Sequence, residues 1–443
     1  MVDVVVLMVP LPAQGHINQL LQLSSLIAST YPDIPIHFAA ASSHNNQALL
    51  RSSAAPTANI FFHDLSAPPF PCPPPNPNSS HKFPSHLIPA FRHANVHLLE
   101  PISALIRFLS SSARRLVVIN DSLMASTIRE SFSLPNTESY TFHSVSAFTI
   151  HWFITAEDKN ELLRCYTPDF LEFARSQYEF KRQTAGIIFN TCRAIEGTYI
   201  DKLNNQSSWK HWPLGPFNPL KLSPVAHRSP CRCMEWLDRQ EQRSVLYISF
   251  GTTTTFTSDQ LRELAIGLEK SSHKFLWVLR EADTGDIFSQ GKVSKIELPD
   301  GYEERVESSG TGMVLREWAP QLEILGHGST GGFMSHCGWN SCMESISMGV
   351  PVAAWPIHSD QIKNAELLTS VLRVGIHVQN KDETSRDGLV SSEAIERAVI
   401  ELMGSEERRR RATELGVEVR KCWVSGGGDS RAELDPFITH ISR

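Results

Sequence analysis

Four short stretches of the 443-residue chain carry side chains suited to chemistry. In PAQGH an apolar run ends, and His16 follows Gly15 at an expected strand-to-helix turn. A histidine there can act as a general base, or it can be structural. In VVINDS, Asp121 closes another apolar run, at the same edge of the same expected sheet. A carboxylate so placed can hold a histidine ring and stabilise its protonated form. It can equally be a helix N-cap.

The other two stretches suit an anion. In SFGTTTT a strand is followed by Gly251, Thr252 and three further threonines, a turn rich in backbone N–H and hydroxyl donors that fits a phosphate. It is neither GxGxxG nor GxxxxGK[ST], which argues against a dinucleotide dehydrogenase or a P-loop enzyme. In MSHCGWNSCMES a strand runs through His336, Cys337 and Gly338 into a helix beginning near Asn340 and Ser341. A helix N-terminus behind a glycine and a histidine binds an anion through unpaired N–H groups and the helix dipole. His336, Cys337 and Cys342 lack zinc-ligand spacing, so no metal is expected.

Positioning these residues requires strands, and apolar runs recur in both halves of the chain. The first half predicts strands at 4–10, 36–41, 60–65, 116–120, 139–144 and 186–190, the second at 245–250, 275–279, 313–316, 332–335, 352–355 and 375–378. Continuous rather than alternating hydrophobicity means burial on both faces, hence parallel sheets covered by helices. Leu20, Leu23, Leu26 and Ile27 share a helical face after Asn18, and Thr257-x-x-Gln260 reads as a capping box before another helix. The fold class is therefore α/β, with two doubly wound Rossmann-like domains whose ligands lie at the strands' carboxyl ends, in the cleft between them. The proline-rich stretch from Pro213 to Pro230 reads as the interdomain linker. Domains are expected at 1–222 and 223–425, with a tail at 426–443. Pro68–Pro77 predicts an exposed loop that either borders a ligand site or is passive.

Composition narrows the partners. A net charge of -6 argues against nucleic acid, which needs a basic surface. The Arg408–Arg411 run follows Glu406 and Glu407 and reads as a solvated helix face. No apolar run approaches the roughly 20 residues of a membrane span. The eight cysteines (72, 165, 192, 231, 233, 337, 342 and 422) show no Cys-x-x-Cys spacing, which fits free thiols in the cytosol.

From Trp318 to Gln361 the sequence WAPQLEILGHGSTGGFMSHCGWNSCMESISMGVPVAAWPIHSDQ resembles, without a gap, the signature box of plant UDP-sugar glycosyltransferases of family 1. The resemblance spans nearly the whole chain. VPLPAQGHINQLLQLS, SFGTTTTF and HCGWNSCMES are similar to the zeatin O-glucosyltransferase branch. It implies the glycosyltransferase B-type fold with a tail helix crossing back to the first domain. It also implies UDP-glucose as co-substrate, no cofactor, and a small hydrophobic or aromatic acceptor such as a cytokinin, flavonoid or other phenolic or terpenoid. Carried over, it makes Trp318 the plate for uracil, with Ala319 and Gln321 as polar edge and ribose contacts and Glu344 on the ribose hydroxyls. His336, Asn340, Ser341, Gly251 and Thr252 would grip the diphosphate, with Gly15 and Gly338 beside it. Trp339, Asp360 and Gln361 would face the sugar, Gln361 resembling glucose users. His16 would be the general base and Asp121 its partner, giving a β-glucoside by inversion.

Acceptor identity is the open point. Asn120 stands where close zeatin-type relatives commonly carry histidine, and the first hundred residues hold seven charged side chains. Phe83, Phe91, Phe142, Phe148, Trp152 and Phe153 either admit a flat acceptor or form ordinary core. The loop after Asp121 and segment 142–153 are the expected acceptor contacts. The alternatives are C-glycosyl transfer to a phenolic ring, transfer onto an existing glycoside, and a silent sugar-nucleotide-binding protein.

Overall fold

A computed structural model describes residues 2–51, 59–79, 81–157, 159–220, 232–279, 297–379, 388–422 and 429–443. In the first half lie β1 (Val2–Val9), β2 (Ile36–Ala41), β3 (Ile60–Leu65), β4 (Ala113–Asp121), β5 (Thr137–His143), β6 (Gly186–Phe189) and β7 (Lys210–Pro213). They pair in parallel in the order β3-β2-β1-β4-β5-β6-β7. In the second half β8 (Val245–Ser249), β9 (Lys274–Val278), β10 (Gly312–Leu315), β11 (Thr330–Ser335), β12 (Val352–Ala354) and β13 (Gly375–His377) form a second parallel sheet, ordered β10-β9-β8-β11-β12-β13.

Strand order reverses between β1 and β4, and again between β8 and β11. Each reversal opens a crevice at the carboxyl ends of adjoining strands. His16 follows β1 and Asp121 ends β4, with Val9 opposite Asn120 in register. Gly251 follows β8 and His336 follows β11, with Ser249 opposite Ser335. All four stretches singled out from the sequence thus stand at the two switch points.

The expected strands form within a few residues of their bounds. The one missed is β7, whose Lys-His-Trp-Pro sequence is four residues long and ends where the linker was expected to begin. That linker is corrected in its first part: Leu214, Gly215, Pro216 and Phe217 are buried, and Leu214 and Phe217 join the core between the first sheet and its helices. Residues 221–231, with the boundary expected at 222, lie outside the described residues, as does the boundary at 425. The Gln14–Thr30 helix starts before Asn18, which puts His16 in its first turn. Thr257 caps its helix through Gln260 N at 3.2 Å, but the Gln260 side chain turns to Val390 at 2.9 Å instead of closing the box. Residues 68–77 have no regular structure and are mostly exposed, and they do not line the cleft.

The Asp429–Ile441 helix packs on the first sheet: Leu434, Phe437, Ile438 and Ile441 enter the core beside Tyr140 and Trp212. Phe437 meets those two rings edge-on at 5.2 and 5.3 Å. Among the described residues seven cysteines form no disulfide. Among the described residues no helix is long and apolar enough to cross a membrane.

Candidate active site

The carboxyl edges of both sheets line one cavity of about 2050 Å³. At its first-domain wall, His16 Nδ1 lies 2.7 Å from Asp121 Oδ2. The other oxygen, Oδ1, accepts from Leu123 N at 2.9 Å. The two readings of Asp121 are therefore both true: it caps the following 3₁₀ helix and holds the histidine. Capping fixes the carboxylate, and the fixed carboxylate fixes the ring. Asp121 is fully buried, whereas the His16 side chain keeps 24% of its surface exposed to the cleft. Burial works against a charge on His16, but Asp121's charge and hydrogen bond, helped by Asp360, outweigh it and raise the pKa above 6.5. Ser144 Oγ stands 3.5 Å from the free Nε2.

Across the cleft, the Trp339–Met348 helix points its N-terminus at this pair, and Asn340 Nδ2 donates to Gly15 O at 2.7 Å. Its amide thereby joins the two domains at the residue before the histidine. Gly251 adopts φ +73°, and a Cβ there would lie 2.6 Å from His336 Nε2. Gly338 approaches the same nitrogen closely, so glycine on both sides is what lets the imidazole sit between two turns. Burial lowers the His336 pKa to about 4, so the ring is neutral. The threonine turn contributes Thr252 and Thr253 to the cavity wall, while the buried Thr254 and Thr255 hydroxyls have no hydrogen-bond partner among the described residues.

Trp318 is 49% exposed, an open aromatic face at the cavity rim beside the buried Ala319. Gln321 Nε2 donates to Ser341 Oγ at 3.0 Å and Glu344 Oε2 at 2.7 Å, and its Oε1 accepts from Tyr247 at 3.2 Å. Burial raises the Glu344 pKa to about 7, opposed by the bond from Gln321. Asp360 Oδ2 accepts from Asn364 Nδ2 at 2.7 Å, and burial lifts its pKa to about 6.

Two side chains differ from expectation. Trp339 borders the cavity, yet its indole is 3% exposed and donates to Asn190 O at 2.9 Å, so its ring serves the domain contact. Gln361 is 4% exposed, and its Oε1 accepts from Ile357 N and His358 N at 3.0 and 3.1 Å. Its amide is committed to its own loop rather than extended into the cleft.

Sequence reasoning missed Asn364. Its Oδ1 accepts from Ser146 Oγ at 2.8 Å and Thr149 Oγ1 at 3.2 Å, while Nδ2 donates to Cys337 O at 3.0 Å as well as to Asp360. Ser146 and Thr149 start the Ala147–Thr155 helix, whose first two N–H groups, those of Ala147 and Phe148, donate to the buried Glu196 at 3.1 and 2.7 Å. No local pattern marks an asparagine whose four partners come from two domains. Of the six aromatic residues, Phe83, Phe91 and Phe153 line the cavity. Phe142 and Phe148 belong to core packing, and Trp152 lies under Lys363 Nζ at 4.5 Å. Ser122 and Leu123, and His143, Ser144 and Ile150, from the two segments expected to contact the acceptor, line the cavity.

Comparison with known proteins agrees with this geometry. The family described as "Glycosyltransferase, N-terminal domain" matches residues 2–219, and that described as "UDP-glucoronosyl and UDP-glucosyl transferase" matches residues 222–405. The chain is 50% identical to zeatin O-glucosyltransferase of Phaseolus lunatus, over 99% of this chain and 97% of that one. It is 48% identical to zeatin O-xylosyltransferase of Phaseolus vulgaris, over 99% and 98%. Among solved structures, a UGT transferase from Siraitia grosvenorii in complex with UDP aligns with a TM-score of 0.78 at 27% identity, covering 99% of this chain and all of that one. Two parallel-sheet domains, one shared cleft and these full-length matches establish that the chain belongs to the plant UDP-glycosyltransferase family and is an enzyme of that family.

Proposed function

We propose that the enzyme transfers glucose from UDP-glucose to a side-chain hydroxyl of zeatin or a closely similar small metabolite, with inversion, giving a β-glucoside. The observation that carries the acceptor is the near full-length identity, at 50% and 48%, to two enzymes named for zeatin O-glycosylation. Because those two differ in the sugar their names give, the donor rests on the sequence resemblance of the Gln361 position to glucose users, and not on a contact of its amide in the cleft.

In this reading His16 Nε2 takes the proton of the acceptor hydroxyl as that oxygen attacks the anomeric carbon from the face opposite UDP. Asp121 holds the ring in the Nδ1–H tautomer and stabilises the imidazolium that forms. Uracil stacks on Trp318, and the ribose hydroxyls bond Glu344 and Gln321. Backbone N–H groups at Gly251, Thr252 and the start of the Trp339–Met348 helix receive the charge on the leaving diphosphate, with Asn340, Ser341 and a neutral His336 as further donors. These donors supply the stabilisation without a resident metal or cofactor. Asp360 meets the sugar hydroxyls, held in place by Asn364. The acidic balance supports a partner set without nucleic acid, and the cysteine usage supports a cytosolic enzyme.

The test is product analysis with trans-zeatin and equal UDP-glucose and UDP-xylose. A single β-linked hexoside supports the reading. A pentoside would overturn the donor, and a carbon-linked or disaccharide product would overturn O-glucosylation of the aglycone.

A further inference from the structure

The cavity does not end at His16. It extends past Ser144 and His143 into an arm walled by the Pro168–Lys181 and Arg193–Gln206 helices and by β7. None of the donor or catalytic residues lies in that arm, but Lys181 does. Lys181 is 9% exposed and its Nζ donates to His143 Nε2 at 2.7 Å. The ammonium also lies over the Tyr178 and Trp209 rings, at 5.6 and 5.7 Å.

Among the described residues Lys181 has no carboxylate partner. Lys363, 7% exposed, shows what a buried lysine ordinarily receives: Glu161 at 2.8 Å and Glu366 at 3.0 Å. A buried cation without a counter-charge is costly. The remaining polar neighbours do not relieve it, since burial and Lys181 itself hold His143 and His211 neutral. Burial lowers the Lys181 pKa to about 8, which still leaves it protonated at neutral pH. Of its three N–H donors, His143 takes one.

We propose that this arm is an anion subsite, in which Lys181 binds the carboxylate of an acceptor whose flat body lies against Tyr178 and Trp209 and whose hydroxyl reaches His16. The inference rests on the glycosyl-transfer reading of the same cleft and names a further acceptor class, hydroxylated aryl acids. His143 directly precedes Ser144, whose Oγ is 3.5 Å from His16 Nε2. The residue that contacts the ammonium and the residue that contacts the base are thus neighbours in the chain, and Lys181 and His16 line the same cavity.

The experiment compares para-hydroxyphenylbutanoic acid with its methyl ester, by tryptophan-fluorescence titration and by UDP-glucose-dependent rates, in wild type, Lys181→Met and Lys181→Arg. Wild type is expected to bind the acid about tenfold tighter than the ester, the effect of one charge-assisted hydrogen bond. Lys181→Met should lose that preference while keeping the ester affinity, which also reports its fold, and Lys181→Arg should retain much of it. Equal binding of acid and ester by wild type would overturn the subsite, as would equal loss of both in Lys181→Met. The titration needs no turnover, so a subsite failure is distinct from failure of the glycosyl-transfer reading, which shows as no hexoside from trans-zeatin.

Discussion

Asn340 Nδ2 donates to the backbone oxygen of Gly15 at 2.7 Å, joining the Trp339–Met348 helix of the second domain to the residue before His16. In the proposed mechanism the start of the same helix receives the diphosphate, so this bond ties the donor side of the cleft to the base. Asn340→Ala should lower kcat/KM for UDP-glucose by about 10- to 100-fold, one to two charge-assisted hydrogen bonds. Steady-state kinetics with varied donor measures it, and an unchanged kcat/KM would remove Asn340 from both roles.

Asp121→Asn separates charge from capping. The amide oxygen can still accept from Leu123 N, but an amide N–H toward His16 Nδ1 favours the wrong tautomer and withdraws the charge that raises the pKa. The base must be neutral to accept a proton, so the rate rises with pH through the His16 pKa, above 6.5 in the wild type. In the variant kcat should fall on the order of 10²-fold and the acid limb should move to lower pH. A pH–rate profile reads both.

In the proposed mechanism Glu344 meets the ribose hydroxyls of UDP, and in the free enzyme burial opposes its charge. Its pKa is raised by burial from 4.5 to about 7. A raised carboxyl pKa favours folding when protonated, so the stability it contributes is full below pH 4.5 and lost as pH rises to about 7. Glu344→Gln should therefore stabilise the free enzyme at pH 8 by on the order of 1 kcal/mol, screening at its partly exposed carboxylate included, yet weaken UDP binding. Thermal denaturation at pH 5 and pH 8, with and without UDP, distinguishes the two effects.

Asn364→Ala removes four hydrogen bonds from a buried junction between domains. Leaving Ser146 and Asp360 without that partner should cost about 1–3 kcal/mol and lower Tm by roughly 2–8 °C. Calorimetry checks the stability. The rate should fall through kcat more than through the acceptor KM, because Asp360 would lose its orientation.

Legibility followed the range of the physics involved. Buried parallel strands announce themselves as unbroken apolar runs, so all but β7 could be placed, and the switch points followed. His16, Asp121, Gly251 and His336 sit beside strand ends, where local sequence reports position. The buried Leu214–Phe217 segment could not be told from an exposed linker, because proline content reports turn propensity and not what packs over it. Gln361 and Trp339 border the cavity, but the direction of their polar atoms depends on neighbours distant in sequence or on loop closure. Asn364, Glu196 and Lys181 act through partners dozens to hundreds of residues away, and nothing in their own stretches signals it.

The central claim is that His16 is the base of a glucosyl transfer. Its most direct test is the rate of hexoside formation from UDP-glucose and trans-zeatin, followed by mass spectrometry, in wild type and His16→Ala, with UDP affinity measured in parallel. The expected result is hexoside from the wild type, a rate about 10²- to 10⁴-fold lower in the variant, and UDP affinity nearly unchanged. Equal rates in the two proteins would contradict the account.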